Sequence, residues 1–467
     1  MMKNKSLLIQ FILGLTVSSY ANITHAQYTL YDGEYGLLSA GLQIQMVGLG
    51  EYNNRSGDPF AKNVLSDIYW EHTIEPNIKG VVNLPKGSQL YSGFSMIYSA
   101  MLGHDPSGIT FRGLPQLGTE RADYAAYPDY KDWMMTEEMY VGWRSGKSLA
   151  QWGENAIDLS VGSQDYKLGT GLLLANGTDD GGFRGSYWLG SRTVFINTMI
   201  ARINVNGYKL EGFYLENHPR NPKAKKRYTG MNVEYNYHDK ANFGFSYIND
   251  DDYTRDVTAK TDAYDFRLDF KPLANTLPNL SVSTEYVYQV NNKLTDPNPE
   301  SPFLYNYGNM GRKTVSGGFG QIEYKFAETP WQPTLSYRYA IMKKGFDYMN
   351  FGFKTWGTWF QGEMTGEFIF DNTDLITNTA RVVVTPVEDV TVNLIYLNFK
   401  FDDPKVMKAT SSSFGNEIDL VADWAVNSSI DLSTGLETFI PDAGGKQVYN
   451  GGNKMWVQGM IYASFKF

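Results

Sequence analysis

The chain has 467 residues, 42% of them hydrophobic and 15% aromatic, with 33 Tyr, 10 Trp and no cysteine. The formal charge of −9 gives a polyanion such as nucleic acid no general attraction, and the missing thiols exclude disulfides, thiolate metal sites and a lipid-modified cysteine. A mean hydropathy of −0.36, with no apolar stretch of transmembrane-helix length, excludes a helical membrane protein but not a barrel, in whose strands only every second residue meets lipid.

Lys3 and Lys5 precede an apolar stretch from Leu7 to Val17, and Thr24 and Ala26 suit cleavage before Gln27. This pattern predicts a secretory signal peptide over 1–26 and a single barrel domain over 27–467. Loss of Lys3 and Lys5 with it would take the formal charge from −9 to −11.

Downstream, the dominant signal is a period of two. Met231, Val233, Tyr235 and Tyr237 alternate with Asn232, Glu234 and Asn236; Tyr264, Phe266, Leu268 and Phe270 alternate with Asp265, Arg267 and Asp269. One face of each segment is apolar and the other carries the charges, as a strand between lipid and a wet lumen requires. The chain ends the same way: Val457, Gly459, Ile461, Ala463, Phe465 and Phe467 fall on one face, with Trp456, Gln458, Tyr462, Ser464 and Lys466 on the other. Short links separate many of these segments. They include Pro76 to Gly87, Ser145 to Ala156, the hairpin pair Asn206-Gly207, and Asn427-Ser428. Eight such hairpins, an opening strand at Leu42 to Leu49 and the closing strand predict an all-β, antiparallel transmembrane barrel of about 18 strands.

Longer segments alternate with the short links, among them Met101 to Thr136, Asp165 to Ser191, Val290 to Lys313 and Lys343 to Asn378. They are expected at the extracellular end, with the short turns in the periplasm of a Gram-negative bacterium. Phe351 to Glu363 is also strand-like. Counting it would make the strand number odd, so it is expected to fold on or into the mouth.

A barrel of this size leaves an aqueous channel unless loops fill it. The inward face is expected to carry Glu138, Asp158, Glu234, Asp265, Asp269, Glu285, Glu323, Glu417, Asp419, Asp423, Asp431 and Glu437 against Arg144, Arg267, Lys325, Arg338, Arg381 and Lys466. Two readings stay open. These charges are solvated pairs that keep the lumen wet, or Arg144, Arg267, Arg338 and Arg381 form a track for sugars or carboxylates, which Arg matches with its planar fork. The basic run Arg220, Lys223, Lys225, Lys226 and Arg227 reads as a rim that binds lipid phosphates or an anionic solute. Asp250 to Asp252 reads as a solvated loop tip rather than a metal site. No cofactor is expected.

Asp158 to Gly171 (DLSVGSQDYKLGTG) and Asn176 to Arg192 (NGTDDGGFRGSYWLGSR) resemble the alginate-export family of outer-membrane barrels. So do Trp356 to Glu363 (WGTWFQGE), Asn393 to Phe399 (NLIYLNF) and Phe414 to Trp424 (FGNEIDLVADW), which spreads the likeness over most of the chain. The resemblance implies an eighteen-strand barrel with loops reaching into the bore and transport of an acidic polysaccharide past inward cations. It adds Gln164, Arg184 and Arg192 to the pore-lining candidates. Where that family often has Gly-Arg-Gln, this chain has Gly162-Ser163-Gln164 and so lacks a cation. The glycine-rich loop carrying Asp179, Asp180 and Arg184 is expected either to narrow the pore or to lie at the surface.

The leading function is an outer-membrane channel that passes a polar solute, an acidic saccharide being the candidate, by diffusion. Expected partners are outer-membrane lipid and lipopolysaccharide, that solute, and periplasmic export proteins. One alternative is a lipase-like barrel enzyme using His72 and Ser92, with His104, His218 and His238 as the other bases; a second is a surface adhesin or scaffold.

Overall fold

A computed structural model describes residues 27–58, 66–103, 130–149, 151–177, 186, 188–190, 193–218, 226–238, 240–252, 260–293, 313–352, 360–362, 364 and 373–467. Residues 1–26, expected to be a signal peptide, lie outside them, as do Asp179, Asp180, Arg184, Arg192, His104 and Arg220 to Lys225. The first strands are β1 (Gln27–Gly33), β2 (Gly36–Tyr52), β3 (Ser66–Asn83), β4 (Gln89–Gly103), β5 (Tyr130–Arg144) and β6 (Ile157–Asp165). Then come β7 (Val194–Val205), β8 (Tyr208–Glu216), β9 (Lys226–Tyr237), β10 (Ala241–Asp252), β11 (Lys260–Phe270), β12 (Leu280–Lys293) and β13 (Thr314–Lys325). The last are β14 (Thr334–Met342), β15 (Leu375–Val387), β16 (Val390–Phe401), β17 (Ser413–Asn427), β18 (Ile430–Pro441) and β19 (Trp456–Lys466).

From β2 onward each strand pairs antiparallel with the next, and β19 returns to β2 in register from Val457↔Tyr52 to Lys466↔Gln43. Eighteen strands therefore form a closed ring, which leaves no sheet edge to be satisfied in lipid. The seam is finished by reciprocal 2.9 Å bonds between Leu42 and the terminal Phe467. Below that point β1 takes over the same edge of β2, from Gln27↔Gly41 to Gly33↔Gly36. The sequence did not announce this extra strand.

Alternation sets the two faces. On β11, Ala263, Asp265 and Arg267 are buried inside, whereas Phe266 stays 50% exposed outside; on β17, Glu417, Asp419 and Val421 point in, and Ile418, Leu420 and Trp424 point out. A continuous outer belt of large apolar side chains is stable only against hydrocarbon. The Phe266→Arg substitution should therefore cost about 2–4 kcal/mol of barrel stability. Denaturant titration of the barrel refolded in lipid vesicles measures this.

Two expectations need correction. Pro76 to Gly87 is not a turn: β3 runs through Pro76 to Asn83, and the reversal is confined to Leu84 to Ser88. Pro76 sits where the β3–β4 pairing lapses between Ile74↔Tyr98 and Asn77↔Ser95 with the register unchanged, so its missing N–H falls in a gap of the ladder. Similarly, β4 and β5 extend into the supposed loop Met101 to Thr136, leaving 104–129 as the connection. Of the stretch Phe351 to Glu363, residues 353–359 and 363 lie outside the described residues; Phe351 and Phe360 are buried against the wall, Phe360 packing edge-on to Phe319.

Candidate functional site

The bore is shaped by two long connections that turn into it. After β6 the chain bends at Gly169 (φ +52°) and Gly171 (φ +87°). At Gly169 a side chain would meet Arg267 Nε at 2.5 Å, so only glycine lets the loop lie against that guanidinium. Leu172, Leu173 and Leu174 then bury themselves against Phe195, Phe213, Tyr228, Val287 and Val315 of the inner wall. Thr170 Oγ1 donates to Glu285 Oε2 at 2.5 Å. The connection from β14 to β15 backs this loop: Asn350 N donates to Leu173 O at 2.9 Å, Ala175 N donates to Asn350 O at 2.8 Å, and Tyr228 OH donates to the Asn350 side chain.

Farther along the first loop, a second attachment lies on β2 and β3. Trp188 and Leu189 pack with Val47, Leu49, Tyr69, Met101 and Met460. Loop residues thus occupy the lumen on both sides of the strand from which the loop departs, and the open bore is narrower than the ring of strands.

Beneath the leucines, charge is locked into one network. Arg202 Nε bonds Glu211 Oε1 at 2.8 Å, Lys209 Nζ reaches Glu211 Oε2 at 3.0 Å, and Asn232 Nδ2 donates to Glu211 Oε2 at 2.7 Å. Arg267 donates to Asn232 Oδ1 at 2.6 Å and Ser246 Oγ at 2.9 Å, pairs with Asp265, and lies 3.7 Å from Glu234. With its side chain only 6% exposed, Arg267 is a structural cation rather than a solute-facing one.

Arg338 and Arg381 differ. They are diagonal neighbours on β14 and β15, since Arg338 is paired with Thr379. Arg338 donates to Gln321 Oε1 at 2.8 Å and to Phe360 O at 3.1 Å, its guanidinium 5.0 Å from the Phe360 ring centre. Arg381 gives two bonds, 3.1 and 2.6 Å, to the single acceptor Asn393 Oδ1. Among the described residues no carboxylate comes within ion-pair distance of Arg381; Glu323 and Asp423 act on it only at longer range. Next to this pair lies an acidic arc, a cross-strand row Asp419↔Glu437↔Gln458↔Glu51.

The remaining candidates are dispersed. Arg144 meets Asp158 at 3.3 Å and stacks 4.3 Å from the Tyr91 ring, at the short-turn end of the barrel. Gln164 donates to Thr198 Oγ1 at 2.5 Å within the wall. Asp269 is half-buried on the same face as Arg267, two residues nearer the strand end. Lys226 is tied to Asp250 at 3.4 Å and Asp347 at 3.5 Å, and Arg227 to Glu216 at 3.8 Å, so that part of the basic run is paired. Asp251 pairs with Lys260 at 3.4 Å. At the loop end, burial pushes the Asp374 carboxyl up to about 7, against the Asp403 backbone N–H that it accepts at 2.7 Å.

His72 is paired with Ala100 and Ser92 with Gly80, so the two levels lie eight positions apart along β3 and no dyad forms. Glu71, Arg202, Lys209 and Glu211 are inward residues that sequence reasoning overlooked. In β7 the buried Ile200 puts an apolar residue on the inward face and so blurs the alternation that would have revealed Arg202.

A closed eighteen-strand antiparallel barrel with an apolar exterior and loops folded into a charged lumen has the architecture of an outer-membrane porin. No family model and no curated protein matches the chain. Among solved structures, OccAB1 of Acinetobacter baumannii superposes with a TM-score of 0.59 at 10% identity, over 92% of this chain and 96% of that one. OccK9 (OpdG) of Pseudomonas aeruginosa gives 0.57 at 12%, over 92% and 97%, and OccAB4 of A. baumannii gives 0.55 at 9%, over 92% and 98%. At these identities the likeness is one of fold, that of a barrel resident in the Gram-negative outer membrane.

Proposed function

We propose that this barrel is a channel through which small polar solutes diffuse across the outer membrane, with acidic saccharides as the solute class. The observation that carries the reading is Arg381. It is a half-buried lumen cation held by an amide rather than by a carboxylate, with Arg338 diagonal to it. A guanidinium placed this way offers remaining N–H donors to a passing carboxylate. The blocks that resemble the alginate-export family favour the same class. They include Asn393, Glu417 and Asp419 of the wall and Gln164 beside the narrowing loop.

Planar-bilayer recording tests the reading. Purified barrel should insert as discrete conductance steps, and short uronate oligosaccharides should interrupt the current in proportion to their concentration while neutral oligosaccharides of equal length should not. Folded barrel that never conducts would remove the channel. Equal behaviour of uronate and neutral sugars would remove the acidic class and leave the channel.

A further inference from the structure

The far attachment of the β6–β7 loop converges on a single carboxylate oxygen. Glu71 of β3, 1% exposed, accepts at Oε2 from Ser186 Oγ at 2.8 Å, from Trp188 N at 2.7 Å and from Leu189 N at 3.1 Å. Leu189 N also donates to Ser186 Oγ at 3.0 Å, closing a compact turn around that oxygen. Two residues away on the same inward face, Tyr69 OH receives the Trp188 indole N–H. The donors come from residues 115 to 118 positions later in the chain, so nothing local to β3 requires this contact.

We propose that Glu71 is the positioning residue that sets the size limit of the pore, by anchoring the far part of the narrowing loop to the β2–β3 wall. The inference rests on the channel reading above. Its physical basis is that charge-assisted hydrogen bonds to an ionised carboxylate are about twice as strong as neutral ones, and three of them share one acceptor. The near part of the loop is held independently, by the buried leucines, by Thr170 on Glu285 and by Asn350. Loss of Glu71 therefore releases one end of the loop and leaves the other end and the barrel in place. Apolar packing of Trp188 and Leu189 remains, but both backbone N–H groups would lose their carboxylate acceptor, Leu189 N keeping only the weaker Ser186 Oγ, which favours their exchange into water.

Conductance and solute size, measured on Glu71→Ala and Glu71→Gln beside the unaltered barrel, test this. Glu71→Ala should raise single-channel conductance about two-fold and admit neutral oligosaccharides that the unaltered barrel excludes, as a wider bore requires. Glu71→Gln keeps one acceptor oxygen without the charge and should fall between. Heat-modified gel mobility identifies folded barrel in each case. Because the chain has no cysteine, the pair Glu71→Cys and Ser186→Cys provides the only two thiols. A short, cleavable bis-methanethiosulfonate linker across them should return conductance to the unaltered value, and cleavage should widen the pore again. Unchanged size exclusion in folded Glu71→Ala, or linked and cleaved pores that behave alike, overturns the proposal. If no form conducts, the channel reading fails separately, and linkage yield read by mass still decides the contact. High yield supports the anchor, and yield no better than that of Glu71→Cys paired with Thr410→Cys overturns it.

Discussion

Arg381→Ala is expected to weaken current block by uronate oligosaccharides by roughly ten- to a hundred-fold, because a hydrogen bond to a charged group contributes about 1.5–3 kcal/mol and each 1.4 kcal/mol is a factor of ten. Barrel stability should fall by no more than about 1–3 kcal/mol, the cost of leaving the buried Asn393 Oδ1 without its donor, while Asn393 Nδ2 keeps its bond to Asp423 Oδ2 at 3.5 Å. Arg381→Lys should keep part of the effect: it retains the charge but loses the planar fork. The readout is the half-blocking concentration in bilayer recordings, with a neutral oligosaccharide of the same length as control. Block that survives Arg381→Ala unchanged would mean that anions are recognised elsewhere in the lumen.

Arg267→Met should do the reverse, leaving selectivity largely alone and lowering stability by about 3–5 kcal/mol. Arg267 is the cation that Asp265 and Glu234 share, and its buried fork also ties Asn232 to Ser246 across β9, β10 and β11. Removing it leaves buried carboxylates facing one another and opens a gap beneath Gly169. The measurement is the denaturant midpoint of the barrel in vesicles, or the temperature at which its folded gel band disappears. Adding Asp265→Asn to Arg267→Met should recover part of the loss, since it removes one of the stranded charges. The opposite signatures of Arg381 and Arg267 distinguish a solute-facing arginine from a structural one, a distinction that the residue type alone does not make.

How far the site could be read in the sequence depends on the kind of contact involved. Inward placement of Asp265, Arg267, Arg338, Arg381, Asp419 and Glu437 followed from parity, because each lies in a segment with unbroken alternation. Whether each charge is free or paired did not follow. Arg267 meets Asn232 from a strand 35 residues away, and Glu71 meets Ser186 from 115 residues away. Parity reports which face a side chain takes and carries no information about what a distant loop brings to it.

Barrel closure was legible for the same local reason. Lipid outside and water inside impose opposite demands on successive residues, and a period of two records them residue by residue, as in Phe266 beside Arg267. Even the terminal Phe467 was readable as the end of a closing strand, although its partner Leu42 lies at the other end of the chain. The tertiary structure alone decided the bore. Leu172 to Leu174 choose the wall of β7–β13, and Trp188 and Leu189 choose β2–β3, because each outcome depends on which surfaces the closed ring brings face to face.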